Sequence, residues 1–215
     1  PASRRAEDLR RLVDEAGVVW AQSDEQPLGT LYFSDQWPAG TFVRHPVRLH
    51  PPLGLPPGIY RLMVGVYEAE SGASWPAGED AWFTSAAVLT AAGDEVPGDI
   101  RAQAVFGGRI ALLTFELTGH QVQAGRYLHL ATTWGALQSP AEDLILFVQL
   151  LDGRGRLVAA QEGPPAGGGF STSQWVSGQA VRDVRSLHVP ADTPAGRSRL
   201  IIGWYRPADG GRLPA

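Results

Sequence analysis

The chain has no cysteine, no lysine and no asparagine. Without cysteine it has neither disulfides nor thiolate metal sites, which fits either side of a bacterial membrane. Without lysine, all 18 basic residues are arginine. Without asparagine there is no N-glycosylation acceptor. These gaps match the codon bias of a GC-rich genome, and a shortage of Asn, Cys and Met also fits a thermophile. No apolar run approaches the roughly 20 residues that a membrane helix needs, and no signal peptide is visible. There is no basic block, and the net charge is −4, which argues against nucleic acid or an anionic membrane surface as partner. The sequence opens on Pro1 rather than Met. The expectation is a piece of a longer protein, with any targeting segment outside it.

What is present suits a turn-rich all-β protein. Hydrophobic residues make up 44% and charged residues 19%, with Trp 7, Gly 26 and Pro 17 in 215 residues. That is enough apolar material for a proper core, and Gly and Pro without a period favour turns between strands.

One stretch occurs twice. Gln36-Trp37, Gly40, Val43-Arg44, Leu49-His50, Gly58, Arg61-Leu62, Gly65 and Tyr67 recur as Gln174-Trp175, Gly178, Val181-Arg182, Leu187-His188, Gly196, Arg199-Leu200, Gly203 and Tyr205. Each pair is 138 residues apart, and no gap is needed from about Leu12/Leu150 to Gly72/Gly210. Roughly a third of these positions are identical, the kind of self-similarity that signals a repeated unit.

The repeat also settles local ambiguity. Ala6, Leu9, Leu12, Val13 and Ala16 have helical spacing, with Ser3 as a cap and Gly17 as a stop. Yet Leu9–Asp14 aligns with Phe147–Asp152, which reads as a buried strand. A strand is therefore expected from about Arg10, after a short helix or disorder. Asp14 to Gly17 and Asp152 to Gly155 read as hairpin turns into Val18–Ala21 and Arg156–Ala159. Val43, Val47 and Leu49 alternate with Arg44, Arg48 and His50, predicting a half-buried strand, as do Val181 and Leu187 against Arg182, Ser186 and His188. Tyr60–Tyr67 and Ser198–Tyr205 are the most apolar and read as central strands. Further strands are expected at Ala81–Thr90, Arg109–Leu117, Arg126–Trp134 and Leu144–Leu151. In the third of these, Leu128, Leu130 and Trp134 share a face. Residues 91–99 read as a linker between a first unit, 1–90, and a second, 100–215. The fold expected is all-β: two antiparallel β-sandwich units of immunoglobulin-like or jelly-roll type, related by internal duplication, the first incomplete.

Few residues suggest chemistry. Trp37 and Trp175 either plug one end of each sandwich, with Gln36 and Gln174 bonding loop backbone, or stack on a sugar ring while Gln and Arg reach hydroxyls. The second reading makes Trp175, Gln174, Arg182, Trp37, Gln36, Arg44 and Trp134 candidate glycan-binding residues. None of the five His forms a metal-ligand cluster, and His45 and His50 would point to opposite faces. Ser171, Ser173 and Ser177 lack a nucleophile elbow. The Gly163–Gly169 loop is not followed by Lys-Ser/Thr, so it is not a phosphate cradle. Asp14 and Asp152 sit at tight turns, where Asp bonds its own backbone, and Glu142 and Asp143 lie in a loop. No catalytic residue, cofactor or metal is expected.

The second unit's run of Phe106-Gly-Gly-Arg-Ile110, Phe147 to Gly155, Thr172 to Trp175, Pro194-Ala-Gly196, Gly203-Trp-Tyr205 and Gly210-Gly-Arg-Leu213 resembles a known module. It is similar to the repeated β-sandwiches that trail the multi-pass segment of bacterial glycosyltransferase-like membrane proteins of the dolichyl-phosphate-mannose mannosyltransferase type. That resemblance carries no catalytic motif. It departs from the first copy at Arg197, Ser198 and Trp204, where Ile59, Tyr60 and Val66 stand. It implies a non-catalytic, extracytoplasmic accessory or interaction module of a membrane-anchored parent, whose partners are other parts of that parent. The alternative is a carbohydrate-binding module whose partner is glycan.

Overall fold

In the computed structural model, residues 5–29, 31–75 and 82–215 are described. Their regular structure is strands plus short 3₁₀ turns, and every strand pairing is antiparallel. The chain divides after Ala91 into two units, with residues 53–57 belonging to the second.

The first unit holds β1 (Ala6–Asp14), β2 (Val19–Glu25), β3 (Gly58–Glu68), β4 (Ser74–Trp75) and β5 (Trp82–Ala91). They form one sheet in the order β2-β1-β3-β4, with β5 also paired to β3. The second unit holds β6 (Asp94–Glu95), β7 (Ala104–Phe106), β8 (Ile110–Leu117), β9 (Tyr127–Ala136), β10 (Ile145–Leu151), β11 (Leu157–Gly163), β12 (Gln179–His188) and β13 (Arg199–Tyr205). These make a three-stranded sheet, β11-β10-β13, and a five-stranded sheet, β6-β12-β9-β8-β7.

The second unit is a sandwich because its strands alternate. Val148 and Leu150 of β10 meet Leu128 and Leu130 of β9, Leu187 of β12 and the nearby Val189 in one buried cluster. Side chains two apart on a strand share a face, so each strand presents a row of apolar groups to the opposite sheet. At about 25 cal/mol per Å² of apolar surface removed from water, each such side chain contributes on the order of 2 kcal/mol.

The self-similarity of the sequence reappears in the hydrogen-bond register. In the first sheet Leu9 pairs with Gly65, Leu12 with Leu62 and Val13 with Arg61; in the second unit Phe147 pairs with Gly203, Leu150 with Leu200 and Leu151 with Arg199. The hairpins match as well: each has its register shift at the equivalent place, Leu12/Val13 and Leu150/Leu151. Asp14 Oδ1 accepts the Val18 N–H, and Asp152 Oδ1 accepts the Arg156 N–H, at 2.8 and 2.9 Å. Asp therefore closes both turns, as the sequence predicts.

Several expectations need correction. β1 begins at Ala6, so residues 6–9 are strand rather than helix or disorder; the proposed cap Ser3 and the strand residue Ala81 lie outside the described residues. Pairing with β3 from Ala6↔Glu68 onward overrides the weak helical spacing. The 91–99 stretch contributes β6, which pairs Glu95 with Gln179 and Asp94 with Ala180. β13 is not central: within its sheet it lies at the edge, beside β10. Most consequentially, residues 41–50 form no strand although their equivalents form β12.

Candidate functional site

The predicted Gln-Trp site lies at one end of the second sandwich. There Trp175 is 1% exposed, and Trp134 and Trp204 are 0% exposed. Trp204 meets Trp134 edge-on at 5.0 Å and Trp175 at 5.7 Å, and Phe106 meets Trp134 at 5.7 Å. These are favourable edge-to-face contacts. Trp175 Nε1 donates to the Phe170 carbonyl at 3.2 Å, and Trp134 Nε1 donates to Thr132 Oγ1 at 2.8 Å. The glycan-platform reading therefore fails at Trp175 and Trp134: a ring without exposed surface cannot stack on a sugar.

The polar members of the set are engaged too. Gln174 Oε1 accepts the Ser171 N–H at 2.9 Å within a capping box on the 3₁₀ turn Thr172–Gln174. Arg182 makes a two-pronged pair with Glu116 at 3.0 and 3.3 Å, and this contact holds the Glu116 carboxyl below its ordinary range. Asp143 accepts from the Ser173 hydroxyl at 2.5 Å, and the Ser177 hydroxyl donates to the Leu137 carbonyl at 3.0 Å. The Gln174, Asp143 and Ser177 bonds fix loops, and the Arg182–Glu116 pair links β12 to β8.

The first unit repeats the frame with less cover. Trp37 Nε1 donates to the Tyr32 carbonyl at 3.2 Å, the counterpart of Trp175 on Phe170. Ser34 Oγ accepts the Ala6 N–H at 2.7 Å as Thr172 Oγ1 accepts that of Leu144 at 2.8 Å. Yet Trp37 is only half-buried. The physical reason is the absence of its neighbours: Val66 stands where Trp204 stands, and no counterpart of Trp134 exists in the chain. Gln36 and Arg44 are exposed. Among the described residues the buried aromatics of this unit are instead Trp20 and Tyr60, in edge-to-face contact at 6.4 Å. Trp20 Nε1 donates to Asp14 Oδ2 at 2.9 Å. Burial, seconded by the Asp14 carboxylate, pushes the Tyr60 hydroxyl up to about 12.

Sequence reasoning missed a buried ion pair. Asp183 is 0% exposed and accepts from Arg185 Nε at 2.8 Å. The carboxylate also accepts the Ala166 N–H at 2.8 Å, while Arg185 Nη2 donates to the Gly163 and Pro164 carbonyls at 3.1 and 2.8 Å. The Gly-rich loop is thus strapped to β12, which accounts for the left-handed Ala166 (φ 53°). Burial pushes the Asp183 carboxyl up against the opposing pull of Arg185. The signal was available: Asp183 and Arg185 lie on the same alternating face as Val181 and Leu187, where a charge needs a partner. In the first unit His45 takes the place of Asp183, and its Nδ1 accepts the Leu28 N–H at 3.2 Å.

Two surface features remain. A cleft of about 800 Å³ opens at one end of the second sandwich, where Leu117, Leu128, Leu150 and Leu200 are joined by His120 and Arg197. Among the described residues its lining contains no Phe, Tyr or Trp and no carboxylate, so it offers neither an indole or phenyl platform nor the paired acids of glycoside hydrolysis. On the outer face of the five-stranded sheet, the exposed Tyr127 lies 6.2 Å from His129, stacked, and 5.1 Å from His188. Among the described residues no group of three His, Cys, Asp or Glu could hold a metal ion, and no helix is long and apolar enough to cross a membrane. No protein-family model matches the chain, and no curated protein matches it in sequence.

Proposed function

We propose that this chain is a non-catalytic interaction module: two β-sandwich units, internally duplicated, carried outside the cytoplasm as an accessory part of a larger bacterial membrane protein. The observation that supports this reading most is what the repeated motif does. In both units the indole N–H of the Gln-Trp motif and the Asp of the hairpin turn bond local backbone. The Trp and Asp that the two units share are thus engaged in fixing loop and turn backbone. The resemblance to modules that follow glycosyltransferase-like membrane segments supplies the parent and the compartment.

The encoding gene provides the test. Several hydrophobic spans in the same reading frame support the proposal; a secreted hydrolase domain there overturns it. Crosslinking in intact cells is expected to join the module to its own parent polypeptide.

A second reading, carbohydrate binding, is favoured by one specific feature, the exposed Tyr127–His129–His188 group. Stacking on that group would show as heat on titration with cell-wall or exopolysaccharide fragments, abolished by Tyr127→Ala. Absence of heat with every fragment removes this reading.

A further inference from the structure

We propose that residues 41–50 are a strand acceptor, completed by an antiparallel β-hairpin of the β8–β9 kind that the polypeptide ahead of Pro1 supplies. This rests on the first unit's own geometry and not on the accessory reading above.

The segment has the sequence of a strand without a partner. Its counterpart, β12, pairs along its whole length with β9, from Ala180↔Gly135 to His188↔Tyr127. Its own side chains still alternate: Val43, His45 and Leu49 are half-buried, while Arg44, Pro46, Arg48 and His50 are exposed. Yet among the described residues the backbone of 42–50 makes no hydrogen bond. Phe42 is 100% exposed and Val47 37% exposed, whereas the counterpart of Phe42, Ala180, is 1% exposed. A row of free N–H and C=O groups flanked by apolar side chains is a template for strand addition.

The second unit identifies the occupant. Its core cluster is built from two sources: Val148, Leu150 and Leu187, and Leu128 and Leu130 of β9. The first group has counterparts in the first unit at Arg10, Leu12 and Leu49; the β9 pair has none in the chain. Applied to β9, the 138-residue spacing of the repeat places the missing strand immediately ahead of Pro1, with a β8-like strand before it. The acceptor differs from β12's surroundings at one point. Arg10, 3% exposed, stands where Val148 stands; its Nη2 donates to Asp8 and its Nη1 lies 3.7 Å from Glu25 Oε2, which leaves Arg10 Nη1 and Asp8 Oδ1 each without a hydrogen bond. The natural hairpin is therefore expected to carry polar groups opposite them.

The test is a chimeric chain in which residues 100–138 of this protein are joined directly to Pro1, reproducing the order of the second unit. Residue 138 is the one that the repeat spacing places just before Pro1. Amide hydrogen exchange is read at 42–45 and 47–50. In the unextended chain these amides are expected to exchange at near-intrinsic rates. In the chimera, alternate ones are expected to slow at least about 100-fold. A second chimera carrying Asp8→Leu and Arg10→Val replaces this ion pair with the apolar residues found at 146 and 148. Protection at 42–50 in either chimera, unchanged on dilution, supports the proposal. Absence of protection in both overturns it. Protection that disappears on dilution also overturns it, because the added strand then comes from a second copy.

Discussion

Gly54 gives a sharp stability prediction. It belongs to the second unit and lies at φ +85°, with its carbonyl accepting the Arg182 N–H at 2.6 Å and its N–H donating to Asp94 Oδ2 at 2.7 Å. A Cβ on Gly54 would stand 2.8 Å from the Arg182 nitrogen and 2.9 Å from the Val181 carbonyl carbon. Those are backbone atoms of β12 and cannot swing away as a side-chain tip can. Gly178, in the same unit, has nearly the same conformation (φ +83°), but a Cβ there meets nothing within 4 Å. Gly→Ala at either site incurs the left-handed penalty of about 1–2 kcal/mol, partly offset by the lower chain entropy of the unfolded state. Gly178→Ala is thus expected to cost about 1 kcal/mol. At Gly54 the backbones must also separate, which breaks the Arg182–Gly54 bond and leaves a buried donor unsatisfied, a further ~2–3 kcal/mol. Urea unfolding followed by the fluorescence of Trp134, Trp175 and Trp204 reads both variants in the same transition. Equal losses, within about 0.5 kcal/mol, would refute the close approach of residue 54 to β12.

Other perturbations separate burial from exposure. Trp175→Ala is expected to cost about 3–5 kcal/mol by opening the aromatic cluster, and Trp37→Ala markedly less, because Trp37 is only half-buried; denaturant midpoints of the two unfolding transitions check this. Arg185→Met leaves Asp183 buried without its cation, at a cost of about 3–5 kcal/mol, and Asp183→Leu combined with Arg185→Met is expected to cost less than the single change. Because burial raises the Asp183 carboxyl, its protonated form is favoured in the fold, so the Arg185→Met penalty should shrink on acidification and grow as pH rises; urea titrations at several pH values measure it. Tyr60 has the opposite practical range. Its hydroxyl is raised from 10.0 to about 12, so the folded state holds the proton more tightly than the unfolded chain does. That contribution is complete below pH 10 and is lost as pH rises through about 12. Tyr60→Phe should remove this alkaline loss, and a stability that falls equally in both proteins would count against it.

How much was legible follows from how local each signal is. The hairpins were readable because Asp14 and Asp152 satisfy backbone groups within a few residues of themselves. The strand period was readable in Leu146, Val148 and Leu150, which needed only an opposite sheet of any kind. The fate of the Gln-Trp motif was not: the same residue types, bonded to equivalent backbone carbonyls, end 1% exposed at Trp175 and half-buried at Trp37. The difference is set by Trp134 and Trp204, distant in sequence. The ion pair of Asp183 and Arg185 was visible as a charge on an apolar face, but its loop partners at Gly163, Pro164 and Ala166 were not.

Residues 41–50 make the same point from the other side. A strand is not a property of its own sequence, since its backbone groups are satisfied only by a neighbour. Val43, Val47 and Leu49 carry the alternation as clearly as Val181 and Leu187 do, yet only the latter sit in a ladder, because only they lie beside β9. The pattern therefore specifies which face turns inward and leaves pairing to whatever polypeptide is adjacent. That is why the register of β1, β2 and β3 matches that of β10, β11 and β13 residue for residue, where both partners lie within the repeated stretch. The match fails at the one strand whose partner in the second unit comes from outside that stretch.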